Sequence, residues 1–251
     1  MNLRMNRFRR SVLAMAAALA WVAIVATGCT HITQGMREAI DADQSEQAIV
    51  MGEAWIAGAA AETTSDERLA VMLLIAEARF REAAKADTDD AYREFQLRYR
   101  NEGWAKQLRD RAYEAEAAAT LRDAVMPRPT PEILLKFAAF YPSTSAAGQA
   151  RVLAAAKALD EVAANPSVEA LRDYRAQYAS FPGTERFVAE AGVMEFKLAL
   201  RDALESRRVA NLRAFRERYR PVDGSEADLA TRKLELELAY DEALQSPTET
   251  R

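Results

Sequence analysis

The sequence is poor in the residues that build most metal sites and nucleophilic sites. Among its 251 residues there is one cysteine, Cys29, and one histidine, His31. A disulfide within the chain is therefore excluded. No cysteine or histidine follows His31. The rest of the chain therefore cannot form a zinc site of cysteine and histidine, a cysteine nucleophile or a Ser–His–Asp triad. We expect no catalytic residues, no metal and no cofactor, and we expect His31 to be a solvated linker residue.

Glycine and proline are also scarce, at 9 and 8 residues, whereas half of the chain is apolar and alanine is abundant. Alanine is the best helix former, and glycine and proline are the worst. The prolines fall in breaks between helical patterns or at first helical positions, where proline is tolerated. Thr64, Thr130 and Thr184 are predicted to cap helix starts, Thr64 as the first residue of a Thr-Ser-Asp-Glu capping box. No segment alternates apolar and polar residues between hairpin turns, so we expect no sheet. The composition predicts an all-α fold.

Basic residues are outnumbered once the N-terminus is set aside. The first 28 residues hold four arginines and no acid, which leaves 30 basic and 38 acidic residues, a net charge of −8, in the remainder. Generic nucleic-acid binding needs a basic surface that displaces counterions from phosphates. We therefore expect no nucleic-acid partner.

The N-terminus has the order of a secretory signal, with a basic segment to Arg10, an apolar segment over residues 12–25 and then small residues. The apolar segment is shorter than the roughly 20 residues of a membrane-spanning helix. The residues that follow, Ala26, Thr27, Gly28 and Cys29, resemble a lipobox, the site that bacterial lipoprotein signal peptidase reads. An alternative is an uncleaved anchor helix in which the cysteine is incidental.

The resemblance to bacterial lipoproteins implies how Cys29 is modified. A diacylglycerol is attached to its sulfur, the chain is cut between Gly28 and Cys29, and the new amino group is acylated. Three acyl chains exceed the two signals that stable membrane anchoring requires. In Gram-negative lipoproteins an aspartate after the cysteine tends to retain the protein in the inner membrane, whereas this chain has Thr30. The resemblance therefore implies a lipid anchor in the outer membrane, facing the periplasm.

The most specific feature of the remaining chain is an internal repeat. A leucine or tyrosine is followed three residues later by an aromatic residue and four residues after that by tyrosine. The four occurrences are Tyr92, Phe95 and Tyr99; Leu134, Phe137 and Tyr141; Leu171, Tyr174 and Tyr178; and Leu212, Phe215 and Tyr219. These steps place the three side chains on one helix face. The central aromatics lie 42, 37 and 41 residues apart.

Each short helix of this pattern precedes a longer, alanine-rich one. The long helices are predicted near residues 102–125, 144–164, 184–205 and 225–244, and residues 43–60 and 65–86 form a degenerate first pair. A helical period of this length is typical of an α-solenoid, in which each hairpin covers its neighbour's apolar face. We predict about five antiparallel hairpins over residues 43–245. They follow a signal peptide (1–28) and a lipidated tether (29–42), and a C-terminal tail (246–251) ends the chain.

The short helices, with their aromatic-x-x-x-Tyr endings and following prolines, are similar to the tetratricopeptide-like repeats of bacterial envelope lipoproteins. Examples are the repeat lipoprotein of the outer-membrane β-barrel assembly machine and the periplasmic Tol–Pal coordinator. The resemblance covers roughly residues 88–245. The period is longer than the 34 residues of the standard motif, and the Trp-x-x-Leu-Gly-x-x-Tyr opening is absent. The resemblance implies scaffolding and binding of proteins or peptides.

The short helices are rich in arginine. Six are candidate partner-binding residues: Arg93, Arg98, Arg172, Arg175, Arg213 and Arg216. Short first helices commonly line the concave face of such solenoids, and arginine suits carboxylates and phosphates. One hypothesis is therefore a groove for an acidic segment of a partner. The alternative is a solvated face with local ion pairs such as Glu94–Arg98, each contributing about 0.2–0.5 kcal/mol.

Together these features predict a membrane-tethered scaffold that binds other envelope proteins or peptides. An alternative function is a periplasmic carrier of a lipid or other small molecule in a cavity between helices. The carboxylate pairs Asp66–Glu67 and Asp89–Asp90 are the remaining candidates for catalysis, but both lie at predicted helix starts, where acids stabilise the positive end of the helix dipole. We therefore predict that the protein is not an enzyme. The oligomeric state is left open.

Overall fold

In the computed structural model, the described residues, 28–59 and 63–245, form α-helices joined by turns and contain no strand. The all-α prediction is confirmed for this part of the chain. The predicted signal peptide lies outside the described residues except for Gly28, and so does the predicted tail over residues 246–251. The chain divides into two units, Met1–Ala124 and Val125–Arg251, each of which is described by itself.

The first unit contains five α-helices in its described part. They are α1 (Gly28–Asp41), α2 (Ser45–Gly58), α3 (Ser65–Ala86), α4 (Asp89–Arg98) and α5 (Lys106–Thr120). A short 3-10 helix, Gly103–Ala105, precedes α5, and a π-helical turn, Leu121–Val125, follows it at the unit boundary. Consecutive helices contact each other, and α3 also contacts α1 and α5.

The second unit alternates short and long helices. They are α6 (Pro131–Phe140), α7 (Ser145–Ala164), α8 (Val168–Tyr178), α9 (Glu185–Ser206), α10 (Val209–Tyr219) and α11 (Glu226–Gln245). Each helix contacts the next one, and the long helix α9 also contacts the long helices α7 and α11. The short and long helices predicted from the sequence are all present. None of the helices in the described ranges has the length and apolar character needed to cross a membrane.

Hydroxyl side chains fix the starts of several helices. Thr64 Oγ1 accepts a hydrogen bond from Glu67 N at 3.3 Å, and Glu67 Oε2 accepts one from Thr64 N at 3.0 Å. This is the capping box that the sequence predicts, and it satisfies two N–H groups that the helix itself leaves unpaired. The predicted cap at Thr130 is also confirmed, since its Oγ1 accepts from Ile133 N at 3.2 Å.

Thr184 differs from its predicted role as the cap of α9. Its hydroxyl donates to the carbonyl oxygens of Tyr178 and Phe181, at 2.7 Å each, and makes no capping hydrogen bond. The side chain is fully buried. The carbonyls that end α8 are within its reach, and a buried hydroxyl needs such a partner. Thr184 therefore stands at the predicted N-cap position of α9, but its side chain ties the end of α8 to the start of α9 and makes no cap.

The repeated aromatic residues form the core of the helix pairs. The central rings of Phe95, Phe137, Tyr174 and Phe215 are 3–5% exposed. The rings of Phe80 on α3 and Phe95 on α4 lie 5.7 Å apart, centre to centre, in an edge-to-face arrangement that aromatic pairs favour. The face predicted from the three-then-four spacing is thus the buried face of each short helix.

The segment predicted to be a tether, residues 29–42, is helical instead, since Gly28–Asp41 forms α1. The reason is an apolar stripe at four-residue steps. Ile32, Met36 and Ile40 are at most 6% exposed and pack with residues of α2 and α3. This stripe was not predicted from the sequence. His31 is exposed, as predicted.

Replacing Met36 with alanine distinguishes a packed helix from a tether. Met36 is fully buried, so Met36→Ala should lower the free energy of unfolding by about 2–4 kcal/mol through lost contacts and a new cavity. Urea denaturation followed by circular dichroism measures the change. The exposed neighbour Arg37 provides the control, and Arg37→Ala should change stability by less than about 0.5 kcal/mol. Equal, small effects of the two substitutions would contradict the packed helix.

Candidate functional site

Three helix pairs carry the same polar cluster, which we call the acid–arginine cluster. On the short helix, the residues two before and one after the central aromatic lie three positions apart and so share one face. On the long helix, a glutamate points at them. The three clusters are Arg93 and Gln96 with Glu116, Arg172 and Arg175 with Glu195, and Arg213 and Arg216 with Glu235.

The first cluster joins α4 to α5 around Glu116, which is 6% exposed. Arg93 donates from Nε and Nη2 to Glu116 Oε1, at 3.2 Å each. Gln96 Nε2 donates to Glu116 Oε2 at 2.6 Å. Arg93 also lies 3.1 Å from Asp90 and 3.4 Å from Asp89. Both oxygens of the buried carboxylate are therefore satisfied, as a buried charge requires.

The second cluster joins three consecutive helices around Glu195 of α9, which is 2% exposed. Arg175 of α8 donates from Nη1 to Oε2 at 2.6 Å, and Arg172 Nε lies 3.4 Å from Oε1. Tyr219 of α10 donates its hydroxyl to Oε1 at 2.8 Å. Because Tyr219 belongs to the next helix pair, this glutamate links one pair to its neighbour.

The third cluster joins α10 to α11. Arg213 Nε donates to Glu235 Oε1 at 2.7 Å, and Arg216 donates to the other oxygen, Oε2. The side chain of Glu235 is 15% exposed, more than Glu116 or Glu195. Arg213 remains 68% exposed and Arg216 24%. The two arginines therefore hold one carboxylate between them while one guanidinium edge faces solvent.

The pair α6–α7 lacks the cluster. At the corresponding positions it has Leu135, Ala138 and Ala158. A shallow surface groove of about 490 Å³ lies there, with Leu135, Ala139, Ala158 and Tyr178 among its lining residues. All three positions are apolar, so the arginines and the glutamate are missing together and no charge is left unpaired. This pair presents an apolar surface where three others present charged side chains.

The arginines hold two of the glutamates in their charged form. Burial disfavours the Glu195 carboxylate, but the hydrogen bonds from Arg175 and Tyr219 and the charges of Arg175 and Arg172 outweigh it, and the pKa of Glu195 is lowered. The hydrogen bond from Arg213, together with the charge of Arg216, lowers the pKa of Glu235 as well. Both clusters are thus ionic over the neutral pH range.

All six arginines predicted to bind a partner have a carboxylate of the same chain beside them. Arg98 pairs with Glu94 at 3.7 Å, the local pair expected from the sequence. The structure brings Arg172 and Arg175 together, and Arg213 and Arg216, but not Arg93 and Arg98. The last two are five residues apart, which is about 140° around a helix.

The glutamates of the clusters were not predicted from the sequence. A signal for them exists, because they follow the central aromatic of their pair by 21, 21 and 20 residues. Glu195 is also an isolated acid on a side of its helix that carries alanine and other apolar residues. Within the described residues, no group of three or more histidine, cysteine, aspartate or glutamate side chains is placed to hold a metal ion.

No protein-family model, no curated protein and no solved structure matches the chain.

Replacing Glu195 with glutamine tests the central cluster. Glu195→Gln keeps the shape but removes the charge that Arg172 and Arg175 hold, so the free energy of unfolding at pH 7 should fall by about 1–3 kcal/mol. Because the folded pKa of Glu195 is lowered from 4.5, its contribution is present above that value and is lost as the pH falls through the folded pKa.

The variant should therefore lose less stability than the wild type when the pH is lowered from about 6 to about 3. Urea denaturation at several pH values measures both effects. The matched control is Glu190→Gln on the exposed side of the same helix, which should leave the pH profile unchanged. Parallel pH profiles of wild type and Glu195→Gln would show that the cluster does not stabilise the fold.

Proposed function

We propose that this protein is a lipid-anchored helical-repeat scaffold that binds other proteins or peptides of the bacterial envelope, and that it is not an enzyme. The observation that carries the proposal is the recurring helix pair, in which the same aromatic core and, in three pairs, the same acid–arginine cluster return at a nearly constant period. Repeated pairs of this kind build broad surfaces for protein partners.

A finer part of the proposal is that the pairs are hairpins stacked as an α-solenoid of the tetratricopeptide-like type. Contacts within the second unit support it, because the long helix α9 contacts both α7 and α11. The hydrogen bond from Tyr219 of α10 to Glu195 of α9 links successive pairs in the same direction. Each hairpin then depends on the next one to cover its apolar face.

Cys29 is the proposed site of anchoring, in the outer membrane and facing the periplasm. The cysteine is the second residue of α1, and α1 packs on α2 and α3 through Met36 and its neighbours. A lipid on this residue would hold the first unit close to the membrane with almost no free chain between them. Such tethering raises the effective concentration of the scaffold for membrane-bound partners.

Two of the clusters offer a surface for an acidic segment of a partner. Each sets two arginines against one glutamate, so one positive charge remains uncompensated within the cluster. The side chains of Arg172, Arg175 and Arg213 are 40–68% exposed and can accept a further carboxylate at their free edges. Arg93 and Arg98, which have acids on their own helix, fit this role less well.

The carrier function is less well supported than the scaffold. A carrier needs a cavity between helices, whereas the central aromatics of all four repeats are buried against neighbouring side chains. One groove of about 660 Å³, partly lined by Val188, Val193 and Phe196, runs along α9. It lies at the surface, and charged side chains such as Arg175 and Lys197 border it. A groove of this form suits a peptide side chain better than an enclosed lipid.

Crosslinking in intact envelopes tests the proposal. The lipidated protein should incorporate labelled palmitate and capture a small, reproducible set of envelope proteins that mass spectrometry identifies. Cys29→Ser should abolish the label and reduce the capture, because the anchor is lost. Arg213→Glu combined with Arg172→Glu should weaken capture of partners with acidic segments.

The matched control for the charge reversals is Arg201→Glu, a similarly exposed arginine on the long helix α9. Circular dichroism verifies that each variant is folded. A captured set that is the same with and without the two reversals would remove the acidic-segment hypothesis. Palmitate label that persists in Cys29→Ser would contradict the anchor.

A further inference from the structure

The outer face of the last helix carries an apolar stripe. Leu229, Leu236, Tyr240 and Leu244 of α11 are between 58% and 71% exposed. Their steps of seven, four and four residues place them on one helix face. The opposite face is the one that packs inside the unit, through residues such as Leu234 and Leu238. Lys233 lies on the same face between Leu229 and Leu236, so the apolar surface is contiguous from Leu236 to Leu244. An exposed apolar surface of this kind marks an interaction surface.

The position of the stripe within the repeat indicates what kind of element fits it. Leu236, Tyr240 and Leu244 follow Phe196, Leu200 and Leu204 of α9 by 40 residues, the same offset that separates Glu195 from Glu235. In α9 these three positions form the surface that receives the next helix.

Phe196, Leu200 and Leu204 pack in one cluster with Leu212 and Phe215 of α10, and the rings of Phe196 and Phe215 lie 5.4 Å apart. No helix follows α11 in the part of the chain that the structure describes. The stripe is therefore the stacking face of the last described repeat, and a helix with an apolar face is the element that matches it.

The charges within and beside the stripe match a second α11 in the opposite direction. Lys233 lies in the first half of the stripe, and Glu237 and Asp241 lie along one side of its second half, all exposed. If Leu236 of two copies meet at a two-fold axis, Lys233 faces the interval between Glu237 and Asp241 of the second copy. Leu229 then faces the interval between its Tyr240 and Leu244. A parallel arrangement would align like charges.

We propose that two copies of this chain associate through the stripe, α11 against α11, in an antiparallel two-fold dimer. The contact is isologous, so each complementary pair of residues occurs twice. A helix of 20 residues is about 30 Å long, which provides a continuous seam. A lipid surface fits less well, because anionic headgroups repel the acids that flank the second half of the stripe. The dimer does not depend on the proposed scaffold function or on Cys29.

Oxidative crosslinking of the full-length chain in intact cells tests the dimer, whether or not the chain is anchored in a membrane. Leu236→Cys places two sulfurs next to the two-fold axis, so diamide should convert most of the protein to a disulfide-linked dimer on a non-reducing gel. The matched control is Leu97→Cys on α4, where the leucine is 58% exposed. It should give at least about tenfold less disulfide-linked dimer. The chain without an introduced cysteine shows how much crosslinking occurs through Cys29 alone.

A charge swap tests the antiparallel register. In the Leu236→Cys chain, Lys233→Glu should slow crosslinking about tenfold, because two like-charge contacts replace two attractive ones. Adding Asp241→Lys should restore the rate. A rate unaffected by Lys233→Glu, or no rescue, would overturn this geometry.

Two further results would overturn the dimer itself. Crosslinking of Leu236→Cys no faster than that of Leu97→Cys is one of them. The other is protection of the introduced thiol from a water-soluble maleimide in membranes but not in detergent, without any dimer. That result would assign the stripe to a lipid surface.

Discussion

The structure depends on one constraint, which is that a pair of helices in this chain completes the burial of its apolar face, and at Glu195 the hydrogen bonding of its buried acid, only with a neighbour. Glu195 shows this most clearly. It is almost fully buried, and its partners come from the helix before it and the helix after it. Removing both arginines would leave a carboxylate uncompensated inside the protein, and removing the Tyr219 hydroxyl would take away one of its hydrogen bonds, and both changes are costly. The cluster therefore favours one register of neighbouring helices.

The same constraint explains why the repeats differ where they do. Three pairs join their helices with an acid–arginine cluster, whereas α6–α7 uses leucine and alanine at the same positions. Neither arrangement leaves an unpaired charge in the interior, since the charges are paired in the three clusters and absent from α6–α7. They differ in the surface that they present. A chain of such pairs can therefore keep one fold while the side chains at these positions change from charged to apolar.

Much of the fold could be predicted from the sequence because its signals are local. The three-then-four spacing around Phe95 and Phe137 predicts short amphipathic helices, and Thr64 and Thr130 predict where helices start, since a cap involves only the next three residues. The pairing of most of the arginines proposed to bind a partner could not be predicted in this way. For the five arginines of the clusters, the carboxylate partners on the long helices lie 19 to 23 residues away along the chain, so their pairing depends on how the two helices pack.

The helix α1 was missed for a related reason. Its stripe of Ile32, Met36 and Ile40 spans only two turns, and burial depends on surfaces that α2 and α3 provide. A short apolar stripe next to a lipidation motif is also consistent with a tether when no packing surface is known. Thr184 was misassigned as a cap because its hydroxyl is recruited by carbonyls at the end of the preceding helix.

Native-state hydrogen exchange of Phe215→Ala tests the central claim that each helix pair depends on its neighbour. Phe215 is 4% exposed and packs on Phe196 of the preceding long helix. The account predicts faster amide exchange in α9, α10 and α11, a smaller increase in α7 and no change in α2 and α3. Equal acceleration of exchange throughout residues 28–245 would indicate a single cooperative unit and would contradict the claim. Unchanged protection of α9 would contradict it as well.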